Sequence, residues 1–64
     1  MIGTTTANLN VRTGANTRFD IITTLPKGTK VDIIGKDGLT GWYRINYDGN
    51  DAYVSNDYIS AEEY

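Results

Sequence analysis

The sequence predicts an all-β fold, a single sheet bent into a small barrel, from three features. Ala7, Leu9 and Val11 alternate with Asn8, Asn10 and Arg12, the period-two pattern of a half-buried strand. Turn-forming groups, Pro26-Lys27-Gly28, Asp37-Gly38 and Asp48-Gly49, interrupt the chain every several residues. Between them Val, Ile, Thr and Tyr dominate, and no long window carries a helical period.

Taken in order, the strands fall at about 7–11, 20–25, 29–35, 41–47 and 51–54. Within the second, only one of Ile21 and Ile22 can point inward without a bulge. Pro26 suits the second position of a type I turn and Gly28 the fourth. Alternation turns Val31 and Ile33 away from Lys30 and Asp32. Asp37-Gly38 and Asp48-Gly49 read as hairpin dipeptides, whose positive φ Asp tolerates and Gly supplies freely. Tyr43 and Ile45 face opposite to Trp42, Arg44 and Asn46, and Ala52 and Val54 oppose Tyr53. Ser55 then caps one turn through Asn56, Asp57 and Tyr58, and Ile59 returns to the interior. The expected core is Leu9, Val11, Leu25, Val31, Ile33, Ile45, Ala52, Val54 and Ile59.

Size and composition narrow the function. The chain has 64 residues, enough for one domain near the lower limit for an unstapled core. With no cysteine and no histidine, disulfides and the commonest zinc and iron ligand sets are excluded, and no cofactor is expected. Six basic and eight acidic residues are interspersed, too few cations to grip a phosphate backbone, so nucleic acid is not an expected partner. No apolar run approaches the length of a membrane span and no h-region marks a signal peptide, so membrane insertion is not expected. Met1-Ile2-Gly3 reads as the start of a piece cut from a longer chain, leaving room for a signal peptide or another domain upstream.

Between the first two strands runs a polar excursion, Thr13-Gly14-Ala15-Asn16-Thr17-Arg18, closed by Phe19. The segments "LNVRTGANT", "IITTLPKGTKVDIIG" and "GWYRINYDGNDAYVSNDYI" together resemble the bacterial SH3 (SH3b) family over about residues 5–60. That family shows a Leu-Asn-Val-Arg-Ser/Thr-Gly opening, a Leu-x-x-Gly-x-x-Val segment, a Gly-Trp-x-x-Val segment, and a Gly-Tyr/Trp-Val ending before one helical turn. This chain departs at Ala52, where the family has glycine, and at Ile45, where valine is common. The resemblance implies an SH3-like barrel of about five short antiparallel strands, with one 3-10 turn and a long RT-type loop over 12–19. It makes the chain a single domain, 1–64, with residues 1–4 and 61–64 as flexible ends. It further implies a non-catalytic module that binds bacterial cell-wall peptidoglycan, through its peptide portion, and tethers an attached hydrolase or surface protein. The expected location is then extracellular or wall-associated, within a larger secreted protein.

The excursion is expected to form one wall of a groove, since loops on a rigid scaffold can vary without unfolding the core. Trp42, Tyr53 and Tyr58 read as outward or rim aromatics that converge beside the loop carrying Phe19. Arg12 offers a fork for a carboxylate, and Thr13, Asn16 and Thr17 stand near the loop tip. Plainer roles compete with these: the rings cover an open end of the barrel, Asn10 ties down the loop, and Arg12 pairs with Asp20 or another local acid.

Other chemistry fits poorly. Asp48-Gly49-Asn50-Asp51 lacks the further oxygen ligands and distal glutamate of a calcium loop. Ser55 and Ser60 have no histidine partner and read better as caps or turn residues, and a filled small barrel offers no desolvated cleft for paired carboxylates. An enzyme is not expected. The rival to wall binding is protein recognition, of extended peptides or of a neighbouring domain. "YVSNDYI" is similar to the closing segment of eukaryotic SH3 domains, but the proline before the serine and the Ala-Leu-Tyr-Asp-Tyr opening are absent, which argues against proline-rich ligands.

Overall fold

Alternation decides which side of each strand is greasy, and the pairing of strands follows from it. The computed structural model describes residues 1–62. Its strands are β1 Ile2–Thr5, β2 Leu9–Arg12, β3 Ile21–Leu25, β4 Lys30–Lys36, β5 Tyr43–Tyr47, β6 Asn50–Val54 and β7 Ile59–Glu62, with a 3-10 turn over Asn56–Tyr58 before the last. They form one seven-stranded sheet in the order β3-β2-β6-β5-β4-β1-β7. Every recorded pair is antiparallel.

Laid flat, such a sheet would hold its outermost strands about 29 Å apart at the usual strand spacing. Leu25 of β3 and Ile59 of β7, from the two edges, nevertheless join one buried cluster with Leu9, Val11, Ile33, Ile45, Ala52 and Val54. The sheet therefore rolls around that cluster, and no ladder joins β3 to β7 among the described residues. Val11, Ala52 and Val54 have no exposed surface. Burying a side chain such as Ile45 in this way contributes about 1.5–3 kcal/mol. Of the expected core only Val31 is partly rather than largely buried; it packs against the cluster with Tyr43, Tyr47 and Ala61.

The ends differ from expectation. Residues 2–4 and 61–62, expected as flexible ends, lie in the paired strands β1 and β7, so the sheet has seven strands and not five. Residues 63–64 lie outside the described residues. Strand β1 was hidden because its inward positions are Gly3 and Thr5, which carry no apolar signal. The filling comes from elsewhere: a Cβ on Gly3 would lie 2.6 Å from Ile59 Cγ2 and 2.8 Å from Ile33 Cδ1. Thr5, 2% exposed, then fastens the β3–β4 connection. Its hydroxyl donates to the Pro26 carbonyl at 2.7 Å and accepts from the Thr29 amide at 2.9 Å.

Of the three expected turns, one forms as its dipeptide predicts. Asp48 and Gly49 have φ of 50° and 80° between the paired residues Tyr47 and Asn50, the positive φ at both positions that a type I′ hairpin requires. After β3, the Thr29 amide bonds the Pro26 carbonyl at 3.2 Å and Gly28 has φ 88°. Proline thus opens the turn and glycine takes the third place, as type II demands. Asp37-Gly38 does not make a two-residue hairpin. The Asp37 amide bonds the Trp42 carbonyl at 2.8 Å, and the positive φ falls on Gly41 at 78°. Neither Ile21 nor Ile22 is buried, at 51% and 44% exposure. The register passes from Val11↔Thr23 to Arg12↔Ile21, so Ile22 is the extra residue of a bulge.

Crowding at Gly3 gives a direct check. Gly3→Ala is expected to cost about 1–3 kcal/mol through overpacking, lowering the Tm by several degrees, and combining it with Ile59→Ala is expected to cost less than the sum of the two changes. Strict additivity in a thermal-melt double-mutant cycle would show that the first strand is not packed on Ile59.

Candidate functional site

Beyond Arg12 the chain runs out of apolar residues to bury, and residues 13–20 fold back on themselves through polar contacts. The Thr13 amide bonds the Asp20 carbonyl at 3.0 Å and the Phe19 amide the Asn16 carbonyl at 3.3 Å. Asn16 also accepts the Arg18 amide on Oδ1 at 2.7 Å, a side-chain turn within the loop. Arg12 Nη1 donates to the carbonyls of Thr17 and Phe19 at 3.1 and 3.0 Å. Arg12 is therefore a brace for loop backbone. Asn10 instead accepts the Thr24 hydroxyl at 2.7 Å. The Phe19 ring lies over Gly14, where any Cβ would overlap it.

Across from the loop stand Trp42, half-buried just before β5, and the 3-10 turn. Ser55 caps that turn as expected, its Oγ accepting the Asp57 amide at 3.4 Å. The Thr6 amide donates to the Tyr58 carbonyl at 2.9 Å, and Tyr58 is 49% exposed. Between loop and turn lies a groove of about 510 Å³. Arg12, Thr17, Trp42 and Tyr58 line it, with Ser55, Asp57 and the run Asn8-Leu9-Asn10.

Sequence reasoning placed eight residues around one groove, and the structure divides them between two hollows. Thr13, Asn16, Phe19 and Tyr53 line a separate hollow of about 400 Å³ with Asp37, Leu39 and Thr40. The folded loop is the ridge between the two. Tyr53 is outward, as alternation requires, but it stands beside Arg44 in the strand register and faces the β4–β5 connection. Two features escaped notice. Asp57 adds a carboxylate to the first groove, and its place in a capping turn concealed it. Leu39 is 98% exposed in the second hollow, and an apolar residue inside "DGLTG", too short a segment to bury it, was the available signal.

Asp37 organises the connection at that second hollow. Its Oδ2 accepts the amides of Leu39 and Thr40 at 3.1 and 2.8 Å and the Thr40 hydroxyl at 2.9 Å. Foremost the Thr40 amide, then its hydroxyl, hold the Asp37 carboxyl below its ordinary pKa. Among the described residues no group of three or more His, Cys, Asp or Glu could hold a metal ion, and no helix is long and apolar enough to cross a membrane.

A rolled all-β scaffold carrying an aromatic-lined groove on its outside describes a small module rather than a closed pocket. The chain belongs to the bacterial SH3 domain family, whose model matches residues 7–60. It is 30% identical over 60 residues, 94% of this chain and 11% of the relative, to the Bacillus subtilis protein YrvJ, named as an N-acetylmuramoyl-L-alanine amidase. It is 40% identical over 53 residues, 81% of this chain and 11% of the relative, to the Listeria innocua protein p60, named as an endopeptidase. The bacteriocin BCN5 of Clostridium perfringens is 43% identical over 51 residues, 80% of this chain and 6% of the relative. The chain thus spans 6–11% of the length of these relatives.

The depressed pKa of Asp37 fixes the sign of a pH effect. A carboxylate whose folded pKa lies below its unfolded value of 3.8 stabilises fully above that value and stops doing so as pH falls through the lower, folded one. Asp37→Ala is expected to lower the Tm by a constant amount from neutral pH down to about pH 5, with the gap to the parent closing at lower pH. A gap that widens on acidification in paired melts would show that the charged form does not favour the folded loop.

Proposed function

We propose that this domain binds bacterial cell-wall peptidoglycan through its peptide portion and tethers an attached hydrolase or surface protein to the wall, outside the cell, without catalysis of its own. The observation that supports it most is the groove between the braced loop and the 3-10 turn, where a half-buried Trp42 and a half-exposed Tyr58 stand beside amide, hydroxyl and carboxylate groups. An extended peptide needs both. Its side chains and Cα atoms pack on ring faces, while its amides seek acceptors and donors such as Asn8, Asn10, Asp57 and the indole N–H. The names of the relatives fit the reading: one is named for a linkage between a wall sugar and a peptide, another for cutting peptides.

In this reading Trp42, Tyr58, Thr17 and Arg12 touch the ligand, with Arg12 also holding the loop. Thr13, Asn16, Phe19 and Tyr53 stand beyond the ridge. A shallow groove binds weakly alone, but repeated wall sites and a covalently linked enzyme turn weak contacts into residence at the polymer.

Docking against a neighbouring domain is the second reading, favoured by one observation: Leu39 at 98% exposure and Phe19 at 47% border the same hollow. A co-sedimentation series with purified peptidoglycan separates the two. Tyr58→Ala is expected to weaken binding about tenfold, and Trp42→Ala, checked for an unchanged fold, by at least as much. Leu39→Ser is expected to leave wall binding unchanged. Wall binding by the Trp42→Ala, Tyr58→Ala double variant at the parent level would sink the groove assignment.

A further inference from the structure

The outer face of β4, β5 and β6 carries a row that the groove does not use. The strand register sets Gly35 opposite Arg44, Arg44 opposite Tyr53, and Tyr53 opposite Arg12. Tyr53 therefore stands between two arginines on neighbouring strands, at the Cβ separations of about 5 Å that directly paired residues share. Lys36 follows at the end of β4. Arg12 and Arg44 flank Tyr53 in the strand register, and Lys36 lines the hollow beside it.

Arg44 is seated rather than free. A Cβ on Gly35 would lie 3.1 Å from Arg44 Nη2 and 3.2 Å from Nε, so glycine is what lets the guanidinium lie against the backbone. Its Nε is buried and meets no hydrogen-bond acceptor, in contrast to Arg12, whose Nη1 holds two carbonyls. A buried Nε–H on a charged guanidinium is incomplete without an acceptor, because leaving it unpaired is costly. Beside it opens a hollow of about 290 Å³ lined by Lys36, Arg44, Tyr53 and the Gly35 and Gly38 backbone. The acid on its rim, Asp37, has its Oδ2 occupied by three donors of its own loop. None of the residues lining this hollow lines the Trp42 groove.

We propose that this hollow is an oxyanion site, in which Arg44 supplies the directed donors, Lys36 the second charge and the Tyr53 hydroxyl a further hydrogen bond, for a carboxylate or a phosphodiester group. Arg44 suits either, since its planar fork matches two oxygens of one anion. The site goes beyond the peptide groove in place and in chemistry. It would let the domain hold a charged group outside the aromatic groove.

The test is an NMR titration of the domain with dimethyl phosphate, standing for a phosphodiester, and in parallel with N-acetylalanine, standing for a peptide carboxylate, each against sodium chloride at equal ionic strength. Expected are saturable shifts at the Gly35, Lys36 and Arg44 amides and at the Arg44 Nε–H, absent with chloride; the anion that saturates at lower concentration names the source. Arg44→Gln is expected to weaken binding about tenfold and the exposed Lys36→Gln about threefold, while Trp42→Ala leaves it unchanged. If Arg44→Gln disturbs the whole spectrum, Lys36→Gln carries the test alone. Shifts that match the chloride series for both anions, or that persist undiminished in Lys36→Gln, would overturn the site, and neither result bears on whether Trp42 and Tyr58 hold peptidoglycan.

Discussion

A filled interior governs everything else about this domain. Eight side chains occupy the inside of the rolled sheet, three of them with no exposed surface. Protein interiors pack as densely as organic crystals, so nothing further can enter. Recognition is thereby confined to the outside of the roll, and the chain's polar excursion, its aromatic rim and its cationic row all lie there. Strand β1 shows how tight the arrangement is. It contributes only glycine and threonine to the inside, and Ile33 and Ile59 fill the space its side chains do not. The same strand, through Thr5, fixes the turn after β3.

Loop 13–20 is polar, yet it is held in shape. Its own hydrogen bonds, the Arg12 brace and the Phe19 ring over Gly14 make it a wall rather than a tether. A wall of this kind lowers the cost of binding, since less freedom is lost when a ligand arrives. It also explains how a residue can serve fold and site together. Arg12 directs Nη1 at two carbonyls of the loop while its side chain lines the groove, so the loop's shape and the groove's chemistry depend on one guanidinium.

Legibility in the sequence followed the apolar alternation. Where inward residues were apolar, in β2, β4, β5 and β6, strand positions, faces and core members could be read directly, and all nine expected core residues but Val31 are buried. Where inward residues were glycine or threonine, as in β1, there was no pattern to see, and β7 shared that fate after Ile59. Glycines near an aspartate signalled turns correctly, but their position within each turn depended on hydrogen bonds made later, such as the Asp37 contacts that move the positive φ to Gly41. The site was half legible for a related reason. Period two tells which side of a sheet a ring occupies, and Trp42 and Tyr53 lie outward as it requires; it says nothing of how a loop divides that outside, which is why Tyr53 fell on the other side of the ridge.

Strand β6 ties these levels together. Ala52 and Val54 point inward with no exposed surface, while Tyr53 between them points outward among arginines. Ala52 contributes its methyl group to the core. Because β6 pairs with β5 along five residues and reaches β2 at Arg12, any shift of its inward side chains would move Tyr53 relative to both neighbouring cations. A core that cannot give therefore does more than hold the chain together: it sets the spacing of the outward side chains to fractions of an ångström, which is the condition a shallow exterior site must meet to recognise anything at all.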